Sequence, residues 1–332
     1  MNDDSIFPVI MAIIFSISIA LLTYFLLIHY VIEPELEQSH RELTVLDFYE
    51  QPHDRDIFII GSSHVNEGID AYLIEDFLQK RHINRSVYVL GINTETPLSK
   101  LPELDNLIAS RPELVVIGLS YRDLRNRTNI YDDRFALISQ RISSGGEYHY
   151  LFNDSQLKLL YQSPVENVFY NRKFIISSLN DQFSRIVRKG KDLNREEIFA
   201  TNFKDPWIHE TNLTDTEKIK MANDNTDLDT ISEDLNPQKR ALLYTVHLLQ
   251  QNNISVIIVN MPISPYYSNN INESTRHNFF NFLNITGVPW FDFEREYSPD
   301  FFTDKEHMNV AGRTDFSPKL AAIIADYVKK GA

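Results

Sequence analysis

Asp56-Ile57-Phe58-Ile59-Ile60-Gly61-Ser62-Ser63-His64 joins an unbroken apolar run to a glycine, two serines and a histidine. An apolar run without polar alternation, rich in β-branched side chains, reads as a strand buried on both faces. Comparable runs stand at Val87–Leu90, Leu114–Ile117 and Ser255–Val259. Val288-Pro289-Trp290-Phe291 reads as a fifth strand, which its proline assigns to a sheet edge. Helical periodicity lies between these runs. Ile69–Arg81 and Leu101–Ser110 each carry one apolar stripe. Asn236-Pro237 is an N-cap and first-turn pair, opening a helix through Leu242, Leu243, Val246 and Leu249. Val310–Lys330 is helical in pattern, with Pro318 expected to kink or restart it.

Strands alternating with helices predict an α/β fold, a flavodoxin-like, doubly wound parallel sheet of about five strands. From about Arg122 to Glu233 the rhythm breaks, and no buried-strand run occurs. Apolar stripes at Gln156–Tyr161 and Phe174–Val187, with a turn at Ser143-Ser144-Gly145-Gly146, predict a helical insertion over about 122–235. It reads as a cap or partner-facing lobe beside the sheet. Trp207-Ile208-His209 within it reads as buried packing, with the lining of a substrate groove as the alternative, and the acidic portion 214–234 as a solvated, mobile surface.

Residues 6–28, IFPVIMAIIFSISIALLTYFLLI, carry no charge. At helical rise they span roughly 35 Å, enough to cross a hydrocarbon core of about 30 Å with some tilt. No basic segment precedes them and no small-residue cleavage site follows, so they read as a retained transmembrane helix rather than a signal peptide. Residues 1–32 are then an anchor, 33–55 a polar juxtamembrane stalk, and 56–332 the α/β domain. Acidic residues flank the span on both sides, which leaves the positive-inside rule silent. Asn-x-Ser/Thr triplets begin at Asn84, Asn126, Asn153, Asn212, Asn253, Asn272 and Asn284, and point to an extracytoplasmic domain.

Net charge is −14, which argues against a nucleic-acid partner. The chain has no cysteine, so disulfides and thiolate metal sites are excluded. In a doubly wound sheet ligands gather at the carboxyl ends of the strands. Gly61-Ser62-Ser63-His64, Gly91-Ile92-Asn93, Gly118-Leu119-Ser120-Tyr121 and Asn260-Met261-Pro262 fall there, and Asp304-Lys305-Glu306-His307 follows the fifth strand. A serine on a tight strand-to-helix turn with a late Asp-x-x-His can assemble a Ser-His-Asp hydrolytic site from two distant segments. His64 could touch substrate or pack the turn. A metal held by His64, His307 and Asp304 is the weaker reading, because no His-x-x-x-His helix is present. No cofactor is expected.

Phe58-Ile59-Ile60-Gly61-Ser62-Ser63 resembles the first block of the SGNH (GDSL-type) hydrolases, whose nucleophile is the serine of a Gly-Asp-Ser turn. The resemblance implies Ser63 as nucleophile, with Ser62 where the family has aspartate. Leu90-Gly91-Ile92 resembles the second block, whose glycine donates a backbone N–H to the oxyanion. Asp304-Lys305-Glu306-His307 resembles the fifth, which implies His307 as base and Asp304 as its orienting carboxylate. The third block departs. Where the family has Gly-x-Asn, this chain has Gly118-Leu119-Ser120, so the Ser120 hydroxyl, Asn93 or Tyr121 would have to replace the oxyanion-binding asparagine. The resemblance covers roughly 56–121 and 254–325. With the expected anchor, it looks most like the membrane-associated branch of O-acetyltransferases of cell-surface polysaccharides and D-alanyl transfer proteins. What this implies is a membrane-anchored serine esterase or O-acyltransferase acting on an acylated cell-surface glycan or similar ester. The alternative is an inactive scaffold of the same fold, holding an envelope protein partner.

Overall fold

The computed structural model describes residues 41–93, 95–125, 203–205, 213–224 and 231–331, with positions 11, 15, 16, 18, 19 and 22. Apart from those six positions, all helical, the expected anchor at 6–28 lies outside the described residues. So do the segments expected as helices at 156–161 and 174–187, the turn at 143–146 and Trp207–His209. Among the described residues no helix is long and apolar enough to cross a membrane.

Five parallel strands make the sheet: β1 Ile57–Gly61, β2 Val87–Val89, β3 Leu114–Leu119, β4 Ser255–Asn260 and β5 Trp290–Asp292. Their order is β2-β1-β3-β4-β5, as a flavodoxin-like winding requires. β5 starts later than expected because Pro289 has no N–H to give. Its carbonyl still accepts from Ile258 N at 3.0 Å, which leaves the strand at the sheet edge.

Alternate strand residues feed two cores, one on each face of the sheet. Phe58, Ile60, Val115, Ile117, Val256 and Ile258 pack under helices α1 (Arg41–Tyr49), α5 (Leu104–Ser110), α7 (Pro237–Gln251) and α9 (Glu273–Ile285). Ile57, Ile59, Val116, Ile257 and Val259 pack under α3 (Ala71–Lys80) and α10 (Val310–Gly331). Short helices α2 (Ser63–Gly68), α4 (Pro97–Lys100) and α8 (Pro265–Ser268) lie in the loops at the carboxyl edge. Asn236 caps α7 as its sequence predicts, its side-chain oxygen accepting from Lys239 N at 3.1 Å.

Three expectations need correction. The stretch read as a stalk becomes α1 from Arg41, and it is part of the domain because Val45, Leu46 and Tyr49 are buried in the first core. Pro318 does not divide α10. That helix runs unbroken because Phe316, Leu320, Ile324 and Val328 bury one continuous face, whose packing outweighs the missing backbone hydrogen bond. The acidic portion of the insertion holds a helix that the sequence reading does not predict: α6 (Asp215–Asn223), mostly exposed, is capped by Thr214, and its Lys218 Nζ donates to Phe302 O at 2.8 Å.

Candidate active site

At the end of β1 the chain must turn sharply without striking β3. Gly61, at φ +149°, is the register partner of Gly118. A Cβ on Gly118 would stand 2.2 Å from Val65 Cγ2, so α2 can sit down on the strand ends only over bare backbone. This seats Ser63 as the first residue of α2. The turn after β2 approaches equally closely, since a Cβ on Gly91 would meet Asn66 N and Ser62 O at 3.0 Å each. The backbone of Gly91 is thereby held beside the nucleophile turn.

The base arrives from the far side of the sheet. An antiparallel bridge between Phe302 and Met308 closes a short loop, helped by Thr303 N donating to His307 O at 2.9 Å. Asp304 organises that loop with both oxygens. Oδ1 accepts from the backbone N–H of Glu306 (2.8 Å) and of His307 (2.7 Å), and Oδ2 lies 2.8 Å from His307 Nδ1. The opposite ring nitrogen, Nε2, is 2.8 Å from Ser63 Oγ. A carboxylate at Nδ1 fixes the proton there and leaves Nε2 facing the hydroxyl.

Electrostatics follow from this arrangement. Burial alone would raise the Asp304 carboxyl, but the hydrogen bond and charge of His307 and the two N–H donors outweigh it and hold it below its ordinary value. Burial alone would lower His307. The hydrogen bond to Asp304 and the charges of Asp304, Glu67 and Glu306 outweigh it, and push His307 up to about 9.

Two carboxylates here were not singled out in the sequence. Glu67, buried on α2, has Oε1 3.9 Å from His307 Nε2. Its one-turn spacing from Ser63 was the signal that could have found it. Glu306, inside the Asp-x-x-His block, pairs with Arg122 Nη1 at 2.7 Å and Lys305 Nζ at 3.5 Å. Its Oε2 is also 3.3 Å from His64 Nε2. Against the raising effect of burial, the contact with His64 and then the charges of Arg122 and Lys305 hold the Glu306 carboxyl well below its ordinary value.

The remaining expected residues fall differently. His64 is 3% exposed and packs edge-on against the His307 ring, its centroid 5.2 Å away, so it belongs to the wall behind the base. Ser120 does not present a free hydroxyl: its Oγ donates to Asp123 Oδ2 at 3.0 Å and its N–H to the same oxygen at 2.7 Å, capping the 3-10 turn Tyr121–Leu124. Tyr121 is drawn away from the site, buried against Phe279 with its hydroxyl donating to Glu294. Asn93 is half-buried in the turn two residues beyond Gly91. A cavity of about 30 Å³ opens near the same edge, lined by Ser62, Glu95, Lys100, Asp123, Leu242 and Thr245 among others. Neither Ser63 nor His307 lines it, so it is separate from the triad.

A protein-family model matches residues 208–329, less than half of the chain, a stretch that holds Asp304 and His307 but not Ser63. No curated protein sequence matches significantly. Among solved structures, the chain is similar to a GDSL-like lipase from Bacteroides thetaiotaomicron at 11% identity and a TM-score of 0.38, covering 88% of this chain and 100% of that one. It is also similar to a catalytic mutant of an acetylxylan esterase from Geobacillus stearothermophilus, at 10% identity and a TM-score of 0.39, covering 82% of this chain and 93% of that one. Likenesses at this level carry no weight about chemistry, which rests on the side chains above. In its parallel sheet, its strand order and the seating of Ser63, His307 and Asp304 at one edge, the chain is like the SGNH hydrolases whose sequence blocks it resembles.

Proposed function

We propose that this chain is a serine-dependent hydrolase or transferase of O-acyl esters. The observation that carries the reading is the unbroken line from Ser63 Oγ to His307 Nε2 and from His307 Nδ1 to Asp304 Oδ2, each step 2.8 Å. Ser63 Oγ attacks the acyl carbonyl carbon while Nε2 takes its proton, and Asp304 steadies the imidazolium. By the sequence resemblance, the developing oxyanion would be met by the backbone N–H groups of Ser63 and Gly91. Collapse breaks the ester C–O bond, the departing alcohol takes the proton from Nε2, and the acyl group stays on Ser63. Water, or a second hydroxyl compound, then attacks the acyl-enzyme by the same steps in reverse.

An O-acylated cell-surface glycan is the substrate we favour, with residues 6–28 as a single-pass anchor and the domain on the extracytoplasmic side. The support is the charge-free length of that segment, the Asn-x-Ser/Thr triplets and the sequence resemblance. Alkaline extraction of membranes tests the anchor: the full chain should stay with the lipid, and a chain lacking residues 6–28 should leave it.

A second reading, an inactive scaffold for an envelope protein partner, is favoured by Ser120. With its hydroxyl tied to Asp123, Ser120 does not replace the asparagine donor of the family, and the Tyr121 hydroxyl is likewise spent on Glu294. Losing one oxyanion donor costs on the order of 10²–10³ in rate. A serine-directed fluorophosphonate separates the two readings. Labelling of the wild type that disappears in Ser63→Ala supports catalysis, and an unlabelled wild type favours the scaffold.

A further inference from the structure

Ser63 and Glu67 stand one helical turn apart on α2, and both face the same nitrogen. Ser63 Oγ is 2.8 Å and Glu67 Oε1 3.9 Å from His307 Nε2. Glu67 is 5% exposed, and its other oxygen, Oε2, is buried without a hydrogen-bond partner. A carboxyl group in that condition is costly to keep. The charged groups facing it come from three elements. His307, Asp304 and Glu306 reach it from the loop before α10. Arg313 reaches it from α10, with Nη1 donating to the Glu67 backbone carbonyl rather than to the carboxylate. On α2 itself, His64 is engaged with Glu306. The imidazole thus sits between two carboxyl groups, Asp304 at Nδ1 and Glu67 at Nε2.

Building on the serine-hydrolase reading, we propose that Glu67 is a positioning residue that tunes the base: its carboxylate attracts the Nε2 proton and so raises the pH at which His307 can accept the proton of Ser63. Nε2 activates Ser63 only when it is bare. While it carries a proton it donates to Ser63 Oγ instead, and the hydroxyl stays unreactive. The titration directions agree with this. Burial pushes Glu67 up to about 7, with the His307 charge opposing, and His307 lies higher, at about 9. Between those values carboxylate and imidazolium coexist, each favouring the other's charge. The acylation rate therefore rises with pH toward the alkaline side.

The test is the pH dependence of fluorophosphonate labelling of the full chain, for wild type, Glu67→Gln and Glu67→Asp. Glu67→Gln should move the midpoint down by about one pH unit, and Glu67→Asp, whose carboxylate is drawn back from Nε2, by less. A purely structural role would lower the rate by one factor at every pH and leave the midpoint in place, and that result overturns the proposal. Should Glu67→Gln fail to fold, the shift or constancy of the Glu67→Asp midpoint decides. An independent arm follows the His307 ring proton by NMR in the Ser63→Ala background, assigned by its loss in His307→Gln. If the wild type never labels, the hydrolase reading falls, yet a His307 midpoint that drops without Glu67 still upholds the pairing. Coincident midpoints overturn it.

Discussion

Arg313 of α10 donates from Nη1 to the backbone carbonyl of Glu67 on α2 at 3.2 Å, and so joins the helix after the base to the helix bearing the nucleophile. Three residues beyond Glu67, Asp70 N donates to Ser317 Oγ of α10 at 2.9 Å, a second tie between the same segments. Ser63 and His307 are 244 residues apart in sequence, and these bonds hold their supports together. We expect Arg313→Met to lower stability by about 1–3 kcal/mol, because the buried carbonyl loses its charged donor. Labelling of Ser63 should slow by more than the unfolded fraction explains. Urea unfolding and labelling rates, measured side by side, check this. A variant that is destabilised but labels at the wild-type rate per folded molecule argues against the tie mattering to the site.

Ser120 occupies the position of the family's oxyanion asparagine, yet its hydroxyl serves Asp123. Ser120→Ala should therefore cost about 0.5–1.5 kcal/mol of stability and leave the labelling rate within about twofold. A loss on the order of 10² in rate, with the fold intact, would instead make the hydroxyl an oxyanion donor.

Gly118→Ala puts a methyl group where Val65 Cγ2 now lies. The overpacking should cost about 1–3 kcal/mol and displace α2, with loss of labelling. Because the clash involves a side chain, Val65→Ala in the same molecule should recover part of both losses. Equal damage in the double variant would place the strain elsewhere, against Met261 Sδ, which lies 3.1 Å from the added atom.

Stability should fall with rising pH on the alkaline side of neutrality. The folded-state value of His307, about 9, lies above its unfolded value of roughly 6.5. Its contribution is then fully present below about pH 6.5 and is lost as pH rises through about 9. Glu67 acts in the same direction at lower pH, losing its contribution between its ordinary value and about 7. Asp304 is held low, so its contribution disappears only in acid, as pH falls through its folded value. Thermal melts of wild type and His307→Gln test this: the gap between them should narrow from about pH 6.5 to about pH 9. A constant gap would show that His307 titrates alike in both states.

Much of the architecture was legible because buried parallel strands leave a local mark. The runs at Ile57, Val87, Leu114 and Ser255 need no partner to be recognised, and each stands in the sheet within a residue or two of its expected bounds. Asn236-Pro237 was equally readable, since a helix cap is chemistry within four residues. What escaped depends on contacts between distant segments. Phe203, isolated in a polar stretch, enters the core beside Phe48 and accepts from Val89 N at 2.7 Å, covering the β2 edge. The polar look of residues 41–49 hid the apolar face of α1, which becomes visible only against β1. At the site, the triad residues carried block signatures, whereas Glu67 and Glu306 acquire meaning only once His307 is beside them.

Asn236 Nδ2 donates to Leu124 O at 2.8 Å, so the chain that departs after β3 returns to α7 at nearly the point it left. Both ends of that excursion stand at the carboxyl rim, where Ser63 is seated. Leu124 and Asn236 therefore act like the drawn neck of a purse. Whatever length or composition lies between them, this tie fixes where the chain leaves the sheet and where it rejoins it, so the strands beneath keep their register.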